Sequence, residues 1–175
     1  MEPSVAAQIE ARLRVLLGLP FWGAGRAADL ESFQFGPRQM ATNRRGQTRE
    51  VGSFALHVQC AWRIVAQAGI VVASRDRYYP TGDPERDVPD FAWDRPGANR
   101  CDERIAHFFA RHAETPLLVE GVSVDAVGGL ILTLSDGHAL DIFPDDSLPE
   151  EHWRFFAHNT DQAHLVVRGQ GLSEE

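Results

Sequence analysis

A nucleophile works only beside a base, and a cysteine and a histidine stand three residues apart in FALHVQCAWRIVAQAGIVVASRDRYY, residues 54–79. Hydrophobicity alternates there with a period of two. Phe54, Leu56, Val58, Cys60, Trp62 and Ile64 fall on one face, and Ala55, His57, Gln59, Ala61, Arg63 and Val65 on the other. This is the pattern of one long, half-buried β-strand, which points His57 and Cys60 to opposite sides and rules out a Cys–His dyad within it. A turn at Ala66 to Gly69 and the β-branched run Ile70 to Ala73 complete an antiparallel hairpin. Across it, His57 or Arg63 would approach Arg75 or Arg77, beside Asp76, forming a cationic patch able to hold an anion.

The remaining histidines give no ligand pattern. His107 and His112, five apart on a predicted helix, are rotated by about 140° and cannot chelate one metal as an i, i+4 pair would. His152, His158 and His164 are spaced by six, which matches no common site. The acids of PDDSLPEEHWRFF resemble a divalent-cation cluster. Ser147 followed by Glu150, with Pro149 between them, also spells a capping box opening a helix, and that explains the same residues. No metal or other cofactor is therefore expected. Gly23 and Gly25 belong to no phosphate-loop motif.

Two stretches concentrate negative charge: Asp83, Glu85, Asp87, Asp90 and Asp94 against Arg86, and Asp141, Asp145, Asp146, Glu150 and Glu151. Together they suggest an acidic surface that would speed encounter with a basic protein partner. The candidate binding residues are thus His57, Arg63, Arg75 and Arg77 on the hairpin, and Asp87, Asp90, Asp145 and Asp146 on the acidic surface.

The elements that must position these residues begin with a helix, Ser4 to Leu17, capped by Ser4 and stopped by Gly18 and Pro20. A short strand, Glu31 to Phe35, leads into GPRQMATNRRGQTRE, which reads as a solvated hairpin tip or loop. Residues 80–98 form a long Pro/Asp-rich loop anchored by Phe91 and Trp93. Asn99 caps a second helix ending at His112, with the stripe Cys101, Ile105, Phe108, Phe109 and His112 facing inward. VEGVSVDAV is a strand, and LILTLSDGHALDIF is a hairpin. A three-residue loop, Ser135 to Gly137, would pair Leu132 with Leu140 and Leu130 with Ile142, keeping the apolar faces together. A strand at His164 to Val167 and a polar tail, residues 169–175, follow. The expectation is a single α+β domain over residues 1–175. Its sheet would be mostly antiparallel, with about seven strands, open or rolled into a flattened barrel, and two principal helices packed on it.

With 175 residues, 43% of them hydrophobic, the chain can bury a core without a disulfide or metal staple. Cys60 and Cys101 are too few for a secreted disulfide framework and read as buried free thiols. The net charge of −8 argues against nucleic-acid binding. There is no apolar run of membrane-spanning length, and Arg12 and Arg14 interrupt the N-terminal apolar stretch, so a cytoplasmic protein is expected. ALHVQCAWRIV with GIVVASRD has a loose echo in ALDIFPDDSLPEEHWRFF with AHLVVRG, suggesting two related β-units.

LPFWGAGRAADLESFQFG, ALHVQCAWRIV, GANRCDERIA and LSDGHALDIFPDD with HWRFF together resemble a family of small, uncharacterised bacterial proteins, from about Leu17 to Val167. The resemblance implies no activity, catalytic residue or cofactor. By analogy with small α+β immunity and antitoxin proteins, and lacking a nucleophile–base pair, the chain is expected to be a non-catalytic protein-interaction module. The alternative is a small-molecule or anion-binding protein, or an enzyme, using the polar patch on the hairpin. The oligomeric state is not legible in the sequence.

Overall fold

The computed structural model describes residues 3–175. Eleven strands form one antiparallel sheet: β1 (Pro20–Ala27), β2 (Leu30–Thr42), β3 (Thr48–Val58), β4 (Ala61–Ala66), β5 (Gly69–Ala73), β6 (Leu117–Val124), β7 (Leu130–Leu134), β8 (His138–Phe143), β9 (Glu151–Ala157), β10 (Leu165–Arg168) and β11 (Gly171–Glu174). Their order across the sheet is β11-β10-β9-β3-β2-β1-β6-β7-β8-β4-β5. This overturns the expected α+β fold of about seven strands with two principal helices. The molecule is mostly sheet, the sheet is open rather than a flattened barrel, and the α-helices α1 (Val5–Leu13) and α2 (Arg100–Arg111) contribute only 9 and 12 residues.

The extra strands come from segments whose local composition argues against strand. The glycine-bearing PFWGAGRA is β1, and the basic segment after Gly36 forms the paired arms of the β2–β3 hairpin, in register as far as Thr42 opposite Thr48. The capping box at Ser147–Glu150 opens no helix: Glu151–Ala157 is strand β9, paired between β3 and β10. Cross-strand partners decided these segments, since β propensity measures mainly the fit to a neighbouring strand.

The single long strand expected over Phe54 to Val65 is two strands, and the sheet is shaped by how they join. Only Gln59 and Cys60 separate β3 from β4, yet the two lie six places apart in the strand order. In a flat sheet six places amount to about 29 Å, whereas a two-residue link reaches at most about 11 Å. The sheet therefore folds over on itself, and this strand turns the corner. The bend keeps its hydrogen bonds, because Gln59 N and Cys60 N both donate to His152 O at 2.8 and 3.2 Å. Leu56, Val58, Cys60, Trp62 and Ile64 are all buried, so one apolar stripe serves both halves. Phe33 of β2 meets Trp62 of β4 edge to face at 5.0 Å, and Trp153 of β9 donates Nε1–H to Gly128 O at 2.9 Å. Gly128, at φ 87°, lies so close to β10 that a Cβ there would sit 2.6 Å from Val167 Cγ1.

Both helices start where their caps place them. Ser4 Oγ accepts from Ala7 N and Asn99 Oδ1 from Asp102 N. α1 buries Ile9 and Leu13, then tightens into a 3-10 turn, Arg14–Leu16, so it is shorter than the stripe to Leu17 predicted. α2 buries Cys101 and Phe108, and Phe109 packs edge-on against Phe21 at 5.0 Å. The β7–β8 hairpin has the anticipated register, Leu130 opposite Ile142 and Leu132 opposite Leu140. Its turn places Asp136 and Gly137 in the left-handed region, at φ 57° and 69°. Residues 80–98 contain no strand or helix; Trp93 packs edge-on against Tyr78 at 5.5 Å, and its carbonyl accepts from Asn99 Nδ2. Among the described residues no helix is long and apolar enough to cross a membrane.

Candidate functional site

Three separate pieces of chain meet at a cleft of about 610 Å³ between the C-terminal half of α2, the β4–β5 turn and the β7–β8 turn. The amphipathic stripe of α2 carries His112 at the helix end, where its Nδ1 lies 2.8 Å from Phe108 O. That carbonyl can only accept, so Nδ1 carries the proton and Nε2 is left with its lone pair free. The tight turn of the β7–β8 hairpin brings Asp136 to the same place, and His138 opens β8 two residues later. The His112 and His138 rings stand 5.3 Å apart, nearly perpendicular, with Phe108 packed against both.

A ligand atom from each of His112, Asp136 and His138 lies within 4.8 Å of the other two. His138 Nδ1 is buried without a hydrogen-bond partner. Two imidazoles and one carboxylate suit a divalent first-row cation. A backbone carbonyl behind one imidazole is the usual device that sets its tautomer and orientation. Arg104, His107 and Arg111 line the same cleft, and the Arg104 side chain donates to Val71 O on the edge strand β5. With two guanidiniums against one carboxylate, the cleft favours an anion.

A second group lies at the sheet corner, where Cys60, Asp145 and His152 each present a ligand atom within 4.8 Å of the others. Burial, reinforced by Asp145, pushes the Cys60 thiol up to about 12, so it is no ready nucleophile at neutral pH. Cys101 is likewise held as a thiol by burial, at about 12.

The expected cationic patch on the hairpin is not assembled. The break at Gln59 puts His57 on β3, opposite Arg154 and Ser32 and edge-on to Phe156 at 4.7 Å. Arg63, on β4, donates Nε–H to Asp141 at 2.8 Å. Arg77 is 4% exposed and serves the backbone, donating to Ser74 O and Asp29 O at 2.6 and 2.7 Å. Arg75 lines a shallow cleft beside Tyr78, Cys60 and Asp145. The acidic surface keeps Asp87 and Asp90 exposed on the long loop, together with Asp83, Glu85 and Asp94. It loses two members to arginines: Asp141 pairs with Arg63 and Glu151 with Arg154. Asp145 and Asp146 remain exposed, but next to Cys60 and His152.

As a pair, His112 and His138 carry no signal in the sequence, because 26 positions separate them. The one local signal was Asp-Gly-His in a predicted three-residue turn, which forces a carboxylate and an imidazole to share a hairpin tip. Compared with known proteins, the chain matches no family model, no curated protein and no solved structure.

Proposed function

We propose that the protein binds a small anionic ligand through a divalent cation held by His112, Asp136 and His138. The convergence of those three ligand atoms on one cleft, with the His112 tautomer set by Phe108 O, carries this reading. Three protein ligands leave coordination positions open toward the cleft, as in sites where the metal also engages a bound molecule. Arg111 and Arg104 supply the counter-charge for a carboxylate or phosphate group. Mn²⁺ is the suitable probe, since it prefers oxygen and imidazole donors to thiolate. In Mn²⁺ titrations followed by electron paramagnetic resonance, His112→Ala and His138→Ala are each expected to lose one tightly bound equivalent, with affinity down about a hundredfold. Arg111→Ala should keep the metal and weaken inorganic phosphate binding. Unchanged Mn²⁺ uptake in both histidine variants would overturn the reading.

The exposure of Asp83, Glu85, Asp87, Asp90 and Asp94 along one loop supports a second reading, an interaction module for a basic protein. Its signature is kinetic: charge reversal at Asp87 and Asp90 should slow association at low ionic strength and leave dissociation nearly unchanged. An association rate that does not move removes this reading without touching the first.

A further inference from the structure

The corner between β3 and β4 carries the second group of ligand-type side chains, which shares no residue with the cleft. Cys60 sits at the bend, Asp145 and Asp146 on the connection from β8 to β9, and His152 at the second position of β9. His152 is 3% exposed, and its Nε2 has no hydrogen-bond partner. That nitrogen lies 3.8 Å from Asp146 Oδ1. A buried polar atom left unpaired is destabilising, a cost that a bound cation would remove. The acids have no helix to cap, since the chain from Glu151 runs as a strand.

We propose that Cys60, Asp145 and His152 form a second metal site, selective for a Zn²⁺-class cation, with the fourth position left to water. Thiolate with imidazole selects Zn²⁺ over the harder cations that suit the cleft. Bonds of about 2.0–2.3 Å in a tetrahedral site place ligand atoms roughly 3.3–3.8 Å apart, so the group, with its atoms within 4.8 Å of one another, needs at most a contraction of about 1.5 Å. Asp145, exposed on an irregular connection and held only by a long 3.4 Å bond from Ala61 N, is the member that gives way most easily. On loading, the thiol S–H bond breaks, sulfur bonds to the cation, and the proton leaves to solvent, so affinity rises with pH. The backbone is already set for this: His152 O accepts from the amides of Gln59 and Cys60. The metal would lock the strand corner to the β8–β9 connection.

Co²⁺ is the probe that separates this site from the cleft, because only a thiolate ligand gives an intense sulfur-to-cobalt charge-transfer band. In the full chain stripped of metal, Co²⁺ should produce that band, Zn²⁺ should abolish it by displacement, and His138→Ala should retain it. His152→Ala should weaken Co²⁺ binding at least tenfold. The Cys101→Ser chain holds Cys60 as its single thiol, so the site can be read there without altering Cys60: Zn²⁺ should slow alkylation of that thiol tenfold or more. Absence of the band in the wild-type chain, or equal alkylation rates with and without Zn²⁺, would overturn the proposal. Loss of Mn²⁺ from the cleft in His112→Ala would stand unaffected by either result.

Discussion

Trp62→Ala is expected to lower the unfolding free energy by about 3–5 kcal/mol, the range for emptying a buried tryptophan site. Trp62 is 1% exposed and lies edge-on to Phe33, so it holds the two halves of the folded-over sheet together. Its Nε1–H is buried without a partner. Trp62→Phe should therefore cost far less than Trp62→Ala, because it keeps the ring contact and removes an unpaired donor. Alternation along the strand predicts that neighbouring Arg63 contributes under about 1 kcal/mol, as an exposed residue would, unless its stem or charge is packed. The structure changes that figure. Arg63 is half exposed but satisfies Asp141, whose side chain is 8% exposed, so Arg63→Ala leaves a buried carboxylate uncompensated and should cost about 2 kcal/mol. Adding Asp141→Asn should recover part of that loss. Urea melts of the single and double variants measure each term, and additive losses at positions 63 and 141 would show that the pair is not coupled.

Glu31→Gln is expected to stabilise the protein at pH 8 by up to about 3 kcal/mol and to leave it unchanged near pH 4. Glu31 is 1% exposed; burial pushes its carboxyl from 4.5 up to about 7, with Arg77 only partly offsetting the effect. The folded state then holds a proton that the unfolded chain releases near pH 4.5. Its contribution to stability is full below that pH and is lost as pH rises through 7. His57 acts in the opposite direction. Burial, with His158 and Arg154 nearby, lowers it from 6.5 to about 4, so its contribution is present above pH 6.5 and is lost as pH falls through 4. The two slopes oppose each other between about pH 4.5 and 6.5, where His158 and His164, also lowered by burial, add to the rise, so Glu31 flattens the wild-type profile without levelling it. Glu31→Gln should unmask the His57 slope as a steep rise over the same interval. Denaturation midpoints running parallel for the two proteins from pH 4.5 to 8 would contradict this account.

Gly36 and the basic run after it show how a correct local reading still misjudges a fold. Nothing from Arg38 to Arg49 has much to bury, and the segment is indeed solvated, yet it is strand because each arm finds its partner across the hairpin. The acids before β9 show the converse. Ser147 and Glu150 fit a helix start, but His152, Trp153, Phe155 and Phe156 are buried between β3 and β10, and that burial outweighs a cap worth about 1 kcal/mol.

What the sequence determined by itself is whatever depends on near neighbours. The two N-caps, the apolar stripe of α2, the three-residue turn at Ser135–Gly137 and the inward face of residues 54–64 were all readable, because caps, turns and alternation act over a few residues. Tertiary structure alone decided the strand count, the corner at Gln59–Cys60 and both candidate metal groups. Cys60 meets His152 because β9 pairs with β3, Val58 opposite Trp153, and His112 meets His138 because α2 packs over β5, two strands from β8 in the sheet. No local pattern records which distant strands that fold brings together.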